Sequence, residues 1–156
     1  MRNIADVIGE DKNHTGTCLA FDYGTKHIGL AVGEIQIQSA RPLVAVANKH
    51  GTPDWNGIKL QVEQWQPSDL VLGWPLGEDG QEQPLCNHVK GFAKRLQQMF
   101  DLPVHLVDER FSSIAAQEQI KSMRQSGQRT RRSKHTDVDC VAAALILETW
   151  FTQNSE

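Results

Sequence analysis

The sequence predicts an α/β fold in which a mixed β-sheet carries helices on both faces. Three apolar segments near the start are joined by short turns, as in an antiparallel meander. After them, helical and strand patterns alternate, as they do where parallel strands are connected by helices. The 156 residues suffice for one domain with a substantial core. The 39% hydrophobic and 22% charged content is typical of a soluble globular protein.

The antiparallel part of the sheet is predicted near the start of a single domain at residues 17–152. Residues 1–16 are polar and lack periodicity, so we expect a flexible N-terminal tail. Residues 17–23 and 27–32 form the first two strands, and the short turn between them makes them antiparallel neighbours. Residues 41–47 continue the meander as the third strand.

Helices and strands alternate in the next part of the chain. The run Thr52-Pro53-Asp54 predicts a helix start, because it offers an N-cap, a proline in the first turn and an early acid. This helix ends before the next proline. Residues 69–73 form a short buried strand, and residues 74–80 form a loop rich in glycine and proline.

The alternation continues through one more helix and strand. Residues 82–100 form a helix whose apolar stripe consists of Val89, Phe92, Ala93 and Leu96. Residues 103–107 are the last predicted strand. Ser112 or Ser113 can cap a helix that extends to about Ser122.

A final helix is predicted to close the domain. Residues 127–135 form a basic loop, and Thr136 or Asp137 begins the helix that follows. Residues 141–147 are almost uninterruptedly apolar, so we expect this helix to be buried on most sides. Residues 153–156 form a short C-terminal tail.

The length of the apolar runs and the spacing of the cysteines and histidines argue against a membrane protein, a secreted protein and a zinc protein. No apolar run is long enough to span a membrane and no signal peptide is visible, so we expect a cytoplasmic protein. Cys18, Cys86 and Cys140 are isolated from one another, and the six histidines form no closely spaced pair. We therefore expect reduced thiols and no zinc site. Any metal would be held by oxygen ligands, which suits Mg²⁺ or Mn²⁺.

Asp22 is the residue that says most about function. It lies in residues 17–23, which otherwise have the pattern of a buried strand, and an ionised carboxylate is costly there without compensation. Alternation places Asp22 on the same face as Cys18 and Ala20, and these small residues leave room for a ligand. The alternative is a structural acid that backbone donors or Lys26 satisfy.

Further acids stand at the ends of other core elements. Asp108 and Glu109 follow the last strand and point to opposite faces, so we expect only one of them to reach Asp22. Asp137 and Asp139 open the final helix, where acids also complement the helix dipole, and spacing does not choose between them. Several carboxylates held together can bind two cations about 4 Å apart, which activate water and stabilise the leaving oxygen of a phosphodiester. The sequence therefore predicts a metal-dependent phosphoryl-transfer enzyme, with a nuclease as the leading candidate.

A basic stretch can supply contacts to substrate phosphates. The net charge of −3 does not by itself indicate a protein that binds nucleic acid. Residues 121–135, however, contain no acidic residue. The basic residues in this stretch are Lys121, Arg124, Arg129, Arg131, Arg132 and Lys134. Such a local stretch can bind phosphates although the whole chain is acidic. The alternative is an ordinary solvated surface loop.

Four motifs in order resemble the YqgF-type family of pre-16S rRNA nucleases and Holliday junction resolvases. They are residues 21–29 (FDYGTKHIG), 73–76 (GWPL) with 79–80 (DG), 108–113 (DERFSS) and 138–139 (VD). The resemblance covers residues 17–151. Two positions depart from the family's usual pattern, since His27 replaces an arginine and Trp74 an aliphatic residue. Neither change removes a carboxylate.

The resemblance implies a ribonuclease H-like fold and a divalent-metal nuclease. It implies Asp22, Glu109 and Asp139 as the catalytic acids and as the ligands of Mg²⁺ or Mn²⁺. It favours Glu109 over Asp108, and Asp139 over Asp137. The partner that it implies is nucleic acid.

The leading hypothesis is a nuclease that matures the 5′ end of pre-16S ribosomal RNA in ribosome biogenesis. We expect its substrate phosphates to contact Lys26, Arg110, Arg131, Arg132 and Lys134. One alternative is a resolvase of branched DNA, whose symmetric cleavage needs a dimer, and the sequence allows a monomer or a homodimer. Another is a nucleic-acid-binding module without turnover. An ATP-binding protein of the sugar kinase and actin type is disfavoured, because it needs two such domains and this chain has room for one.

Overall fold

The computed structural model describes residues 16–76, 79–109 and 134–154, with side chains in the last range from residue 138 onward. The strands in these residues are β1 (Thr17–Tyr23), β2 (His27–Glu34), β3 (Ser39–Lys49), β4 (Thr52–Pro53), β5 (Asp69–Trp74) and β6 (Val104–Asp108). The helices are α1 (Trp55–Trp65), α2 (Pro84–Phe100) and α3 (Lys134–Asn154).

The strands form one mixed sheet in the order β4-β3-β2-β1-β5-β6. β1, β2 and β3 are antiparallel neighbours, whereas β5 pairs parallel with β1, and β6 pairs parallel with β5. The predicted meander followed by parallel strands is therefore confirmed. Because β1, β5 and β6 run in one direction, their carboxyl ends meet at one end of the sheet, where ligands bind in open α/β sheets. Asp22 and Asp108 both lie at that end.

The two faces of the sheet bury different side chains, as the alternation along β1 predicts. Leu19, Phe21 and Tyr23 belong to the larger core, which α1 and α2 cover. Cys18 and Ala20 belong to the smaller core on the other face, which α3 covers. The predicted apolar stripe of α2 lines the larger core through Val89, Phe92, Ala93 and Leu96. Helices on both faces are therefore confirmed.

The predicted start of the first helix is wrong. Thr52 and Pro53 pair with the end of β3 as β4, and the chain enters α1 only at Trp55. Asp54 is the N-cap, since its Oδ1 accepts a hydrogen bond from the Gly57 N–H at 3.1 Å. The Asp54 N–H also donates to Ala47 O at 2.9 Å, which ties the residue before α1 to β3. Pairing with the sheet therefore prevails over the local capping pattern.

Two other helix boundaries also differ from the prediction. α2 begins at Pro84 rather than at residue 82, because proline suits the first turn of a helix, where an N–H has no partner. α3 begins at Lys134, before the predicted Thr136 or Asp137, and it extends to Asn154 into the predicted tail. No glycine or proline lies at residues 134–154, so nothing in the backbone opposes the longer helix. The predicted basic loop is correspondingly shorter at its end.

Several predictions fall outside the described residues. These are the tail before residue 16, the helix at 112–122, residues 127–133 of the basic loop, and the last two residues. The three cysteines are all described, and each of them is buried. None of the described helices combines the length and the hydropathy that a membrane-spanning helix requires.

Candidate active site

Asp22 lies near the carboxyl end of β1, on the face of the sheet that α3 covers. It pairs across the β1–β2 hairpin with Gly29. Cys18 and Ala20 precede it on the same face and are fully buried, whereas Asp22 itself is partly buried. The predicted face of small residues beside this carboxylate is therefore present.

The start of α3 passes close over the β1–β2 hairpin because β2 carries a glycine there. A Cβ at Gly29 would clash with the backbone carbonyl of Asp139 and would lie 2.9 Å from the Asp139 Cβ. The absence of a side chain at Gly29 therefore allows Asp139 to lie over the strand pair that carries Asp22. The spacing of the acidic residues along the sequence does not identify Gly29. A glycine inside a buried strand is, however, itself a sign of close backbone approach.

A second glycine makes room for Glu109. This residue follows β6, and Gly73 lies in the neighbouring strand β5. A Cβ at Gly73 would lie 3.0 Å from Glu109 Cγ and Cδ, and 2.7 Å from Ile146 Cδ1 of α3. The Glu109 side chain therefore lies across β5, on the same side of the sheet as Asp22.

Burial and neighbouring negative charges raise the pKa values of Asp22 and Glu109. Burial first, and then the charges of Glu109 and Asp139, raise the pKa of Asp22 from 3.8 to about 8. Burial and the charge of Asp108 raise the pKa of Glu109. Of Asp108, which ends β6, and Glu109, which follows it, Glu109 is thus the one whose charge acts on Asp22. We call Asp22, Glu109 and Asp139 the acidic cluster.

The alternative acid on α3 stays undecided. Asp137 lies in the first turns of α3, but its side chain is outside the described residues. Asp139 is partly buried and acts electrostatically on Asp22. The choice of Asp139 as a ligand therefore stays a prediction that the geometry supports.

The donor chemistry of the acidic cluster fits a hard divalent cation. Carboxylate oxygens are the ligands that Mg²⁺ and Mn²⁺ prefer. Burial, and after it the charges of Glu109 and Asp139, raise the pKa of Asp22, and a bound cation would favour the ionised carboxylate. Among residues 16–76, 79–109 and 138–154, however, no three His, Cys, Asp or Glu side chains form a ready-made metal site.

Of the residues predicted to contact phosphates, Lys26 is the one whose side chain is described. It is exposed in the turn between β1 and β2, and it is not among the groups that shift the pKa of Asp22. Lys26 as a structural partner of Asp22 is thus disfavoured. The other four lie outside the described residues, although the backbone of Lys134 begins α3: Arg110, Arg131, Arg132 and Lys134.

A buried asparagine holds the turn that follows Asp22. Asn48 Nδ2 donates a hydrogen bond to Gly24 O at 2.7 Å, and the Asn48 N–H donates to Lys26 O at 2.8 Å. Asn48 is 2% exposed, so these bonds are largely shielded from water. These two bonds hold the turn at Gly24 and at Lys26, on either side of Thr25. No sequence pattern indicates this role, because Asn48 lies 24 residues from its side-chain partner.

Comparison with known proteins agrees with the resemblance carried by the motifs. A family model described as "RuvX: Holliday junction resolvase" matches residues 16–153. The chain is 43% identical over 139 residues to a protein of Escherichia coli O7:K1 named "Putative pre-16S rRNA nuclease". That alignment covers 89% of this chain and 98% of the relative. A protein of Shigella boydii serotype 18 with the same name has the same identity and coverage.

Two solved structures share the fold at low sequence identity. RuvC of T. thermophilus, in complex with a Holliday junction substrate, has a TM-score of 0.54 and 16% identity, over 88% of this chain and 96% of that one. A second Thermus thermophilus RuvC structure has a TM-score of 0.52 and 16% identity, over 88% of this chain and 95% of that one. These likenesses confirm the predicted ribonuclease H-like fold. The family model and the relatives at 43% identity show that this chain belongs to the RuvX Holliday junction resolvase family.

Proposed function

We propose that this chain is a divalent-metal-dependent nuclease that hydrolyses phosphodiester bonds at the acidic cluster. The observation that carries the proposal is the environment of Asp22, whose carboxyl lies at the carboxyl end of β1 and is influenced by Glu109 and Asp139. A structural acid would be matched by a positive group or by donors. Here burial and then two further carboxylates raise its pKa, which is the arrangement expected of a cation site before the cation binds.

The chain's own residues would divide the work of the reaction. Asp22, Glu109 and Asp139 would hold Mg²⁺ or Mn²⁺, and Asp22 would give up its carboxyl proton on binding. The bound cation would supply activation of water and stabilisation of the leaving oxygen. β1 and α3 orient two of the three acids, and Gly29 keeps these elements close. Lys26 would hold a substrate phosphate beside them.

The substrate we propose is the 5′ end of pre-16S ribosomal RNA, processed during ribosome biogenesis in the cytoplasm. Relatives with 43% identity carry a name that refers to this precursor, and the alignment spans 98% of their length. The four motifs that resemble the family lie within the aligned family region at residues 16–153. We treat residues 17–152 as one domain, since one sheet contains all six described strands.

The second candidate is a resolvase that cuts branched DNA, and the description of the matching family model favours it. Symmetric cleavage of a four-way junction needs two active sites related by two-fold symmetry. This candidate therefore requires a homodimer, whereas processing of an RNA end is compatible with a monomer. A third candidate is a binding module without turnover. It gives no function to the carboxylates of Glu109 and Asp139 beside Asp22.

One experiment separates the three candidates. A 5′-extended precursor RNA and a four-way DNA junction are incubated with the protein and Mg²⁺, the ends of the products are mapped, and the mass of the complex is measured by light scattering. Cleavage of the RNA at the mature 5′ end supports the proposal. Paired symmetric cuts in the junction by a dimer support the resolvase instead. Binding of either substrate without any cut supports the binding module and contradicts both nuclease candidates.

A further inference from the structure

A pocket of about 270 Å³ opens on the face of the sheet opposite to Asp22. It lies between the end of β1, the start of α1 and the middle of α2, and Tyr23, Trp55 and Phe92 line it. Tyr23 follows Asp22 directly and points to the other face. The pocket and the acidic cluster therefore flank the same end of the same strand.

The wall of this pocket is aromatic. The ring centroids of Tyr23 and Phe92 lie 5.1 Å apart, and those of Trp55 and Phe92 lie 5.3 Å apart. Tyr23 and Phe92 are largely buried and support Trp55, whose ring is partly exposed, and nucleobases stack on exposed aromatic rings with little regard to sequence. An aromatic pocket next to a phosphodiester-cleaving site is therefore suited to a base of the same strand.

The rim of the pocket is polar and basic. Asn87, His88 and Arg95 are exposed there, and no acidic residue lines the pocket. The Arg95 guanidinium lies 5.4 Å from the centre of the Trp55 ring. α2 as a whole contains no aspartate or glutamate, although the chain has a net charge of −3. Positive charge is thus concentrated where a phosphate next to a stacked base would lie.

A helical glycine keeps the pocket open. Gly91 lies in the middle of α2, is exposed and lines the pocket, and a Cβ there would meet no atom within 4 Å. Glycine is unfavourable inside a helix relative to alanine. Packing does not require a glycine at this position, so a larger side chain can be placed there to fill the pocket without disturbing the core.

We propose that this pocket binds one unpaired base of the RNA strand that crosses the acidic cluster, and that Arg95 holds an adjoining phosphate. The proposal rests on the proposed function, which it deepens by adding a second contact with substrate. The volume lies just below the range of about 300–1,000 Å³ usual for pockets that take larger ligands, and so suits a single base. Lys26 is exposed in the turn between the two sites. A base in a duplex is stacked and paired, so the pocket would select single-stranded RNA.

The test fills the pocket and measures binding of a labelled single-stranded RNA in the presence of a chelator, so that no cleavage occurs. Gly91→Leu should weaken binding about 5- to 100-fold, the change that corresponds to loss of one stacked base. Gly91→Ala adds only a methyl group and should weaken it less. Gln98→Leu, which places the same leucine on an exposed part of α2 outside the pocket, should bind as the wild type does. Thermal unfolding of each variant confirms that α2 is intact.

A second pair of variants tests the phosphate contact. Arg95→Ala should weaken RNA binding and reduce its dependence on salt, because one phosphate contact is lost. Lys94→Ala removes the same charge from the neighbouring residue, which does not line the pocket, and should have a smaller effect. None of these variants should change binding of a fully paired RNA duplex.

The proposal is overturned if the wild type does not bind single-stranded RNA, or if Gly91→Leu binds it as tightly as Gly91→Ala does. Cleavage in Mg²⁺, measured on the same proteins, keeps this result separate from the proposed function. If the wild type cuts RNA and Gly91→Leu does not weaken RNA binding, the base-binding role of the pocket is refuted and the proposed nuclease function is still supported. If Gly91→Leu weakens RNA binding but the wild type does not cut RNA, the proposed nuclease function is refuted and the base-binding role of the pocket is still supported.

Discussion

Replacing Asp22 by asparagine should make the metal-free protein more stable at alkaline pH. Asp22→Asn keeps the size of the side chain and removes its charge. In the folded chain, burial and then the charges of Glu109 and Asp139 raise the pKa of Asp22 from 3.8 to about 8. Since one pKa unit corresponds to about 1.4 kcal/mol, the ionised carboxylate costs the folded state on the order of 5 kcal/mol.

The sign of the pH dependence follows from where the proton is bound. Between about pH 4 and about pH 8, folded Asp22 keeps a proton that the unfolded chain has released. The free energy of unfolding of the wild type therefore falls as the pH rises through this window. Asp22→Asn lacks this contribution. Its advantage over the wild type should be smallest near pH 4 and largest above about pH 8.

Urea unfolding with a chelator present, followed by tryptophan fluorescence, measures this difference at about pH 5 and about pH 8.5. Glu63→Gln, which neutralises an exposed carboxylate on α1, is the matched control and should behave as the wild type does. Mg²⁺ at the higher pH should stabilise the wild type and not Asp22→Asn. If Asp22→Asn were less stable than the wild type at about pH 8.5, Asp22 would be a structural acid and the reasoning would be refuted.

Three further substitutions test the geometry around the acidic cluster. Gly29→Ala should lower the free energy of unfolding by about 1–3 kcal/mol in urea, because the added methyl group clashes with α3, and unchanged stability would contradict the close approach of α3. Asn48→Ala removes the hydrogen bond to Gly24 O and should destabilise by about 1–3 kcal/mol in thermal unfolding, whereas an unchanged melting temperature would show that the turn holds itself. Gly73→Ala should slow RNA cleavage, because the added methyl group displaces the Glu109 side chain, and it should change the free energy of unfolding little, because that side chain is flexible enough to move away. An unchanged cleavage rate would argue against Glu109 as a metal ligand.

Local pattern was enough to predict most of the sheet. The short turn between β1 and β2 requires antiparallel pairing, and the alternation of Leu19, Phe21 and Tyr23 with smaller residues fixes which face each residue occupies. Helix starts were harder to predict. The run before α1 contains a local capping pattern, but pairing with the end of β3 takes Thr52 and Pro53 into the sheet. That pairing is a tertiary contact, which local propensity does not encode.

The acids of the candidate site are visible in the sequence because each stands at the end of an apolar element. What holds them together is not visible in the same way. Gly29, Gly73 and Asn48 act through contacts with distant segments, at Asp139, Glu109 and Gly24. Their roles depend on how α3 and the strands pack in space, so no spacing rule along the chain identifies them. The aromatic pocket escapes prediction for the same reason, since its walls come from β1, α1 and α2.

The most direct test of the central claim is cleavage of a 5′-extended pre-16S RNA by the wild type and by Asp22→Asn, each with Mg²⁺, with Mn²⁺ and with a chelator. We expect cleavage by the wild type that requires a divalent cation and that Asp22→Asn abolishes in both metals, while the variant stays folded. Cleavage that persists in the chelator, or that Asp22→Asn retains, would contradict a metal-dependent nuclease centred on the acidic cluster.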